Sequence, residues 1–222
     1  MSIEIIKGNL FTSQCQTLVN TVNCVGVMGA GIALEFRLRY PEMYTRYVEL
    51  CEKQLFEIGK LWLYKSQQHW ILNFPTKKHW KNPSEIEFLK LGLQKFVNIY
   101  EEKKITSIAF PVLGANNGGI PQEKSLEIME EYLIQCNLPI QIYIYDPHST
   151  DDIFPDLKSK FLSLSPQKIA KITGLKNPYL ERIKQAMQDQ TINNLSQLLA
   201  VKGIGINTVE KLLIILNQED IS

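Results

Sequence analysis

The chain has 222 residues, of which 45% are hydrophobic and 21% charged, a composition typical of a soluble globular protein with one domain of ordinary size and a small second one. No apolar run reaches the roughly eighteen residues of a transmembrane helix, and the first residues lack a signal-peptide pattern, so we expect a cytoplasmic protein without a membrane anchor. The net charge of +1 is uneven, because residues 158–217 carry nine basic and three acidic side chains, a net +6, which leaves −5 on the rest.

The first part of the chain alternates between predicted strands and predicted helices. Residues 3–6 and 17–23 are mostly apolar and rich in β-branched side chains, so they predict two strands. A glycine-containing loop at 25–31 leads into helices predicted at 32–40 and 42–56. The first of these helices must end near Tyr40, because the residue before a proline disfavours helical geometry.

The alternation continues to the end of the predicted first domain. The further elements are strands at 61–66 and 69–76, an amphipathic helix at 83–102 with Ser84 as its cap, a buried strand at 107–114, a helix at 122–136 and a strand at 140–147. Strands and helices in this succession predict an α/β domain with a mixed or parallel sheet.

The chain changes character after a turn-rich, acidic segment at 147–157, which predicts a linker. Beyond it the strand pattern stops, and residues 158–217 predict short helices only. Residues 172–183 align with residues 201–212 as two copies of one helix–turn–helix unit. We therefore expect a second, all-α domain over residues 151–222.

Two glycine-containing loops are candidates for holding a diphosphate. The first lies in residues 23–36, where Gly26, Gly29 and Gly31 precede a helix whose unpaired amides favour an anion. The second, residues 114–119, also lies between a buried strand and a helix. Such loops gather at one edge of an open α/β sheet, where ligands bind, so we expect both to hold one extended diphosphate. The alternative for each loop is a tight turn without a ligand.

The segment at residues 73–83, NFPTKKHWKNP, contains a candidate catalytic lysine. Lys77 follows a strand, and a lysine amine in a partly desolvated pocket can act as a nucleophile or a base. Its attack on the anomeric carbon of a ribose would displace a nucleobase, as in two-step glycosidases. The neighbouring His79 and Trp80 could stack on a flipped base or on an adenine. The alternative is a solvated basic turn.

Together these segments resemble the macrodomain superfamily and, more narrowly, the DarG-type macrodomains, which are DNA ADP-ribosyl glycohydrolases. The resemblance covers about residues 1–147, and its motifs are KGNLF at 7–11, VNTVNCVGVMGAGIALEF at 19–36, FPTKKHW at 74–80 and PVLGANNGG at 111–119. It implies a three-layer α/β/α sandwich with a mixed sheet over residues 1–150. It also implies an enzyme that removes ADP-ribose from thymidine in single-stranded DNA, where a DarT-like toxin attaches it.

The resemblance also implies roles for individual residues. It makes Lys77 the catalytic residue, places Asn23 against the thymine and the distal ribose, and places Gly29–Ile32 against the diphosphate. The full set of substrate-binding candidates is Asn9, Leu10, Asn20, Asn23, Val27, Met28, Gly29, Gly31, Ile32, Thr76, His79, Trp80, Gly114, Asn116, Asn117, Gly118 and Gly119. No cofactor and no metal is expected, since the four cysteines are scattered without the spacing of a metal site.

Two positions depart from related patterns, and two other functions stay open. Related enzymes that cleave ADP-ribose esters on proteins add an aspartate where Gly118 stands here, which favours DNA as the substrate. Many relatives have glycine at the position of Asn116, whose side chain could narrow the distal-ribose pocket. The alternative functions are a non-catalytic ADP-ribose reader and a hydrolase of ADP-ribosylated protein.

The tail resembles helix-hairpin-helix modules, most clearly at residues 198–213. In such modules a glycine–hydrophobic–glycine turn offers backbone amides to a DNA phosphate. The resemblance therefore implies DNA contacts at one turn, made by Lys202, Gly203, Ile204 and Gly205. The upstream copy has Lys176 in place of the second glycine. The alternative is a small helical cap or a dimerisation element.

Overall fold

The computed structural model describes residues 3–217, which form two compact units divided in sequence between Tyr145 and Asp146. The first unit contains all the strands of the described chain, and the second is helical. The boundary lies just before the predicted linker at 147–157 and a few residues before the predicted start of the second domain. Among the described residues, no helix is both long and apolar enough to cross a membrane.

The first unit is built on one six-stranded sheet. Its strands are β1 (Ile3–Gly8), β2 (Thr17–Asn23), β3 (Trp62–Lys65), β4 (Trp70–Lys77), β5 (Ile108–Pro111) and β6 (Ile140–Tyr145). They lie in the order β1-β6-β5-β2-β4-β3. All neighbouring strands are parallel except β3, which is antiparallel to β4. The predicted mixed sheet is confirmed.

Four helices of the first unit connect these strands. They are α1 (Gly31–Arg39), α2 (Pro41–Glu52), α3 (Ile86–Ile99) and α4 (Gln122–Leu133). As predicted, α1 stops before Tyr40, whose backbone leaves the helical region at φ −130° and ψ 67° ahead of Pro41. Pro41 then opens α2, since its missing amide hydrogen is not needed in the first helical turn.

Helices cover both faces of the sheet, because side chains alternate along the buried strands. In β2, Val19 packs in the core formed with Leu89 of α3 and Met129 of α4. Its neighbour Leu18 packs on the opposite face, in the core that includes Phe36 of α1. All five side chains are fully buried. This arrangement is the predicted three-layer α/β/α sandwich.

The prediction that Ser84 caps the helix after β4 is wrong. Helix α3 begins at Ile86, its N-cap residue is Glu85 in an extended conformation, and no side chain caps its amides. The Ser84 amide instead donates to the carbonyl of Gly118 over 2.9 Å. The buried Ser84 hydroxyl has no hydrogen-bond partner among residues 3–217. Ser84 therefore ties the chain before α3 to the second glycine loop.

The carboxyl ends of three neighbouring parallel strands lie side by side. Strand β2 runs between β4 and β5, and its last residue, Asn23, pairs with Lys77, the last residue of β4, after a shift in register between Val22 and Asn23. The segments that follow these strands therefore leave the sheet at one edge, where ligands bind in open α/β sheets.

Between residues 146 and 217, the described part of the second unit contains five helices and a short terminal turn. These are α5 (Phe154–Ser163), α6 (Pro166–Thr173), α7 (Asn177–Gln188), α8 (Leu195–Ala200) and α9 (Ile206–Leu213), followed by a 3-10 turn at Ile214–Asn217. Asp151 joins two of them, because its Oδ1 accepts from the Phe154 amide and its Oδ2 accepts from the Leu195 amide over 2.9 Å. One carboxylate thus caps the starts of α5 and α8.

The aligned segments of the tail adopt matching turns. Gly174 follows α6 with φ +66°, and Gly203 precedes α9 with φ +85°, a left-handed conformation that glycine adopts without strain. The next residue in each copy, Leu175 or Ile204, is buried. The α6–α7 connection at 174–176 and the longer α8–α9 connection at 201–205 therefore share a left-handed glycine followed by a buried apolar residue.

Candidate functional site

The side chain of Asn23 shapes the loop that follows β2. Its Oδ1 accepts hydrogen bonds from the amides of Val25 (3.0 Å) and Val27 (3.3 Å), and its Nδ2 donates to the carbonyl of Val27. The hydroxyl of Tyr47, buried in α2, donates to the Asn23 carbonyl over 2.7 Å. The buried side chain of Asn23 thus stabilises the conformation of the loop. Its predicted contact with substrate stays a prediction.

The first glycine loop ends at an open helix start. Ala30, the N-cap residue of α1, is extended, and its side chain makes no capping hydrogen bond. The first amides of a helix have no acceptor within the helix, so those of α1 are suited to an anion. Gly31 has φ +56°, and Asn117 Nδ2 lies 2.5 Å from the point where a side chain at residue 31 would begin. The two glycine loops therefore touch at Gly31 and Asn117.

The second glycine loop is held by its own backbone. The amide of Gly119 donates to the carbonyl of Ala115 and the amide of Ile120 donates to the carbonyl of Gly114, each over 3.0 Å. A Cβ at Gly118 would collide with the Gly114 carbonyl oxygen and with Ser84 Oγ. This backbone conformation has no space for a side chain at residue 118.

Lys77 lies where these segments meet. It ends β4 beside Asn23, is partly buried, and its ammonium donates to the backbone carbonyl of Asn117. Asn117 in turn contacts Gly31. The three segments that sequence reasoning selected are therefore brought together at one edge of the sheet.

Several substrate-binding candidates lie in the interior. Asn20 is fully buried and donates to Asn73 Oδ1 over 3.0 Å, while Leu10 and Met28 pack in the core under α1 and α2. Thr76 is buried within β4. The structure gives these residues a supporting position and does not bring their side chains to the surface.

Other substrate-binding candidates are exposed to solvent or have a polar atom without a hydrogen-bond partner in the described chain. Asn9 caps the short 3-10 turn at Leu10–Thr12 by accepting from the Phe11 amide, and its Nδ2 has no partner within the described chain. Val27, Asn116, Asn117 and Gly119 are exposed, whereas Gly114 is buried and has φ +66°. The exposed residues are therefore the ones that a ligand at this edge can reach directly.

The thiol nearest the site is not suited to act as a nucleophile. Burial raises the pKa of Cys24 to about 11, and the neighbouring Cys51 and Glu57 add to this rise. The thiol therefore stays protonated at neutral pH, whereas the reactive form of cysteine is the thiolate. Within residues 3–217, no cluster of three or more His, Cys, Asp or Glu side chains could hold a metal ion.

Comparison with known proteins identifies the fold family. The family model described as Macro domain matches residues 19–129, half of the chain. The chain belongs to the macrodomain family. The match contains β2, α1, α2, β4 and the loop after β5, and hence the edge at which Lys77 lies.

The curated relatives of this macrodomain include three named DNA ADP-ribosyl glycohydrolase. The protein of that name from Thermus aquaticus is 40% identical over 149 residues, which cover 65% of this chain and 41% of the relative. The one from Mycobacterium tuberculosis is 42% identical over 148 residues, which cover 64% of this chain and 41% of the relative. The macrodomain chain thus spans about two fifths of the length of these relatives.

Solved structures match with the same fold. The macrodomain of Mycobacterium tuberculosis DarG has a TM-score of 0.62 and 40% identity, and the match covers 64% of this chain and 97% of that one. Thermosipho africanus DarTG in complex with ADP-ribose also has a TM-score of 0.62, with 36% identity, and the match covers 68% of this chain and 43% of that one. The last of these structures contains ADP-ribose bound to a related chain.

Proposed function

We propose that this macrodomain hydrolyses the bond between ADP-ribose and a thymidine base in single-stranded DNA. The main observation in support is the position of the Lys77 ammonium, which lies against the second glycine loop at the point where that loop contacts the first. The names of the curated relatives support the same activity. The alternatives are a non-catalytic reader and a hydrolase of ADP-ribosylated protein.

In the proposed reaction the two loops bind the substrate and Lys77 acts as the nucleophile. The open start of α1 and the amides of the second loop bind the diphosphate. The Lys77 amine, after losing its proton to water, attacks the anomeric carbon, and the bond to thymine breaks with its electron pair moving to the base. The base takes up a proton from water. A second water molecule then attacks the same carbon, which frees Lys77 and releases ADP-ribose.

The second glycine loop favours a DNA substrate over a protein ester. The ester-cleaving relatives use an aspartate in this loop together with the lysine, whereas Gly118 here is enclosed by the Gly114 carbonyl and Ser84. When the leaving group is a nucleobase, the reaction described above uses Lys77 and water and requires no acidic side chain. The ordinary source of the substrate would be a DarT-like transferase, since a Thermosipho africanus relative is a fusion of DNA ADP-ribosyl transferase and DNA ADP-ribosyl glycohydrolase.

The test is a comparison of two modified substrates. The full chain is incubated with single-stranded DNA that carries ADP-ribose on thymidine and, separately, with a peptide that carries ADP-ribose on glutamate. We expect free ADP-ribose and restored DNA from the first substrate and no product from the second. Product from the peptide alone would make the protein an ester hydrolase. Calorimetric binding of ADP-ribose without product from either substrate would make it a reader.

We further propose that the second unit binds the DNA backbone through the α8–α9 hairpin. The hairpin turn contains Gly203 in its left-handed conformation, and Gly205 starts α9 without a side-chain cap. A Cβ at Gly205 would meet no atom within 4 Å, so packing within the unit does not require glycine there. Arg182 Nη1 donates to the Gly203 carbonyl over 3.3 Å and adds a positive charge beside the turn. These features favour contacts with phosphate.

Replacing the exposed Lys202 should weaken binding of the full chain to unmodified single-stranded DNA. Each lysine that neutralises a phosphate releases counterions, so Lys202→Ala should also reduce the slope of log affinity against log salt by roughly one. Fluorescence anisotropy with a labelled oligonucleotide at several salt concentrations measures both quantities. Lys103→Ala, an exposed lysine in the first unit, is the control. If both variants have the same DNA affinity and the same slope of log affinity against log salt, the hairpin does not bind DNA and has only a structural role.

A further inference from the structure

The turn after β4 presents an aromatic side chain to solvent close to Lys77. Asn82 donates its amide to the His79 carbonyl over 3.1 Å, which closes a four-residue turn with Trp80 at its corner. The Trp80 side chain is 49% exposed, whereas Trp62 and Trp70 are partly buried in the sheet. An exposed indole gains little from folding, so its place at this corner calls for another explanation.

Local contacts hold the two rings of this turn in a defined arrangement. His79 stacks on Trp80 with 5.7 Å between ring centroids and an interplanar angle of 26°. The amide of Lys81 donates to His79 Nδ1 over 3.2 Å, which fixes the orientation of the imidazole ring. The first residue after β4 is also anchored, because the carbonyl of Lys78 accepts from the Cys24 amide over 3.2 Å. The aromatic pair is therefore arranged before any ligand arrives.

The charge around the aromatic pair is positive. Lys81 Nζ lies 5.1 Å from the centroid of the Trp80 ring, and Lys78 Nζ lies 5.3 Å from the ring of Phe88. The sequence from residue 73 to residue 84 contains three lysines and no acidic residue. Exposed aromatic rings between cationic side chains are the usual components of a surface that binds single-stranded nucleic acid.

We propose that the indole of Trp80 stacks on the base next to the modified thymidine, so that the enzyme recognises its substrate as part of a strand. The proposal rests on the proposed function, because it places the modified nucleotide at Lys77. Three residues of chain span at most about 11 Å, so Trp80 lies near the scissile bond. The adenine of ADP-ribose is separated from that bond by the diphosphate, which the loop before α1 is suited to hold. Trp80 therefore belongs on the DNA side of the substrate.

The proposal also explains the neighbouring lysines. A flanking nucleotide brings one phosphate with it, and the side chains of Lys78 and Lys81 extend from the same turn as the indole. Stacking accepts any base, because each has a flat face, while a lysine attracts any phosphate. The surface should therefore favour a strand over a single nucleoside without selecting the sequence around the modified base.

The test compares a short strand with a nucleoside. The wild-type chain and the variants Trp80→Ala, Trp80→Phe and Ile134→Ala are assayed with ADP-ribosylated thymidine and with a trinucleotide whose central thymidine carries ADP-ribose. We expect Trp80→Ala to raise KM for the trinucleotide roughly 5- to 100-fold more than KM for the nucleoside, the range of one lost base stack. Trp80→Phe keeps a flat ring and should recover most of this loss. Ile134→Ala removes another exposed apolar side chain, at the end of α4, and is the control.

Two results would overturn the proposal. Equal losses for trinucleotide and nucleoside would place Trp80 against the modified nucleotide itself. Weaker binding of free ADP-ribose by Trp80→Ala, measured by calorimetry, would place the indole against adenine. If the wild-type chain hydrolyses neither substrate, the proposed function fails. In that case binding is measured instead of turnover. The change that Trp80→Ala makes in the dissociation constant of the trinucleotide, compared with its change for the nucleoside, then decides the role of Trp80.

Discussion

The variant Lys77→Met is expected to lose release of ADP-ribose from modified DNA by about 10³-fold or more, while free ADP-ribose still binds. Methionine keeps most of the aliphatic stem of the side chain and removes only the amine. The loop amides and the start of α1, which we propose hold the diphosphate, are unchanged in this variant. Loss of turnover with retained binding is therefore the expected result.

This experiment needs two measurements and one control. Product release from modified single-stranded DNA gives the rate, and calorimetry with ADP-ribose gives the affinity. The control Lys104→Met changes an exposed lysine whose carbonyl accepts from Gln16 just before β2, and which therefore lies at the opposite end of that strand from Lys77. The hydrogen bond from Lys77 to the Asn117 carbonyl is also lost in Lys77→Met, so thermal unfolding checks that the loop and the fold survive. Turnover close to that of the wild type would remove Lys77 from the mechanism.

The second large effect is expected from a single methyl group at Gly118. In Gly118→Ala the new Cβ collides with the Gly114 carbonyl oxygen and with Ser84 Oγ, and the carbonyl oxygen cannot move without shifting the loop. The shift would also disturb the hydrogen bond between the Ser84 amide and the Gly118 carbonyl. Overpacking of this kind destabilises the folded domain by about 1–3 kcal/mol. Because the shifted loop amides no longer fit the diphosphate, we also expect ADP-ribose affinity to fall by roughly 10-fold or more, a loss of about 1.4 kcal/mol.

The matched control for Gly118→Ala is Gly8→Ala in the same unit. A Cβ at Gly8 meets only Tyr143 and Ile6 at ordinary contact distances of 3.9 and 4.0 Å, so this variant should bind ADP-ribose normally. Adding Ser84→Ala to Gly118→Ala should not restore affinity, because the Gly114 carbonyl still obstructs the methyl group. Unchanged binding in Gly118→Ala, measured by calorimetry, would show that the second loop does not hold the ligand.

The features that local pattern controls could be predicted from the sequence. Mostly apolar runs, several rich in β-branched residues, located the strands, and Pro41 located the end of α1, because these signals depend on neighbours in the chain. The position of Lys77 at the sheet edge followed from the rule that loops after parallel strands gather there. The contact between the two glycine loops was expected only in general terms, and its residues, Gly31 and Asn117, were not.

The features that depend on contacts distant in sequence could not be predicted. Ser84 fits a helix-capping pattern, yet it does not cap α3. Its amide donates to the carbonyl of Gly118, which lies 34 residues further along the chain. Tyr47 has the spacing of a buried helical residue, and nothing local indicates that its hydroxyl supports the carbonyl of Asn23. Sequence reasoning missed both residues as parts of the site, because a single sequence contains no record of such pairs.

The bracing of the first loop by Asn23 and Tyr47 has a thermodynamic consequence. Ordering a loop when a ligand binds consumes part of the interaction energy, at about 1–2 kcal/mol for each backbone residue that becomes fixed. Here the carboxamide of Asn23 fixes the Val25–Val27 backbone through hydrogen bonds within the chain itself, so folding of the domain bears that entropy loss. A small fragment of the ligand makes only a few contacts with the protein. Because this loop is already ordered, no cost of ordering is subtracted from the binding free energy of those contacts, and the fragment should still bind.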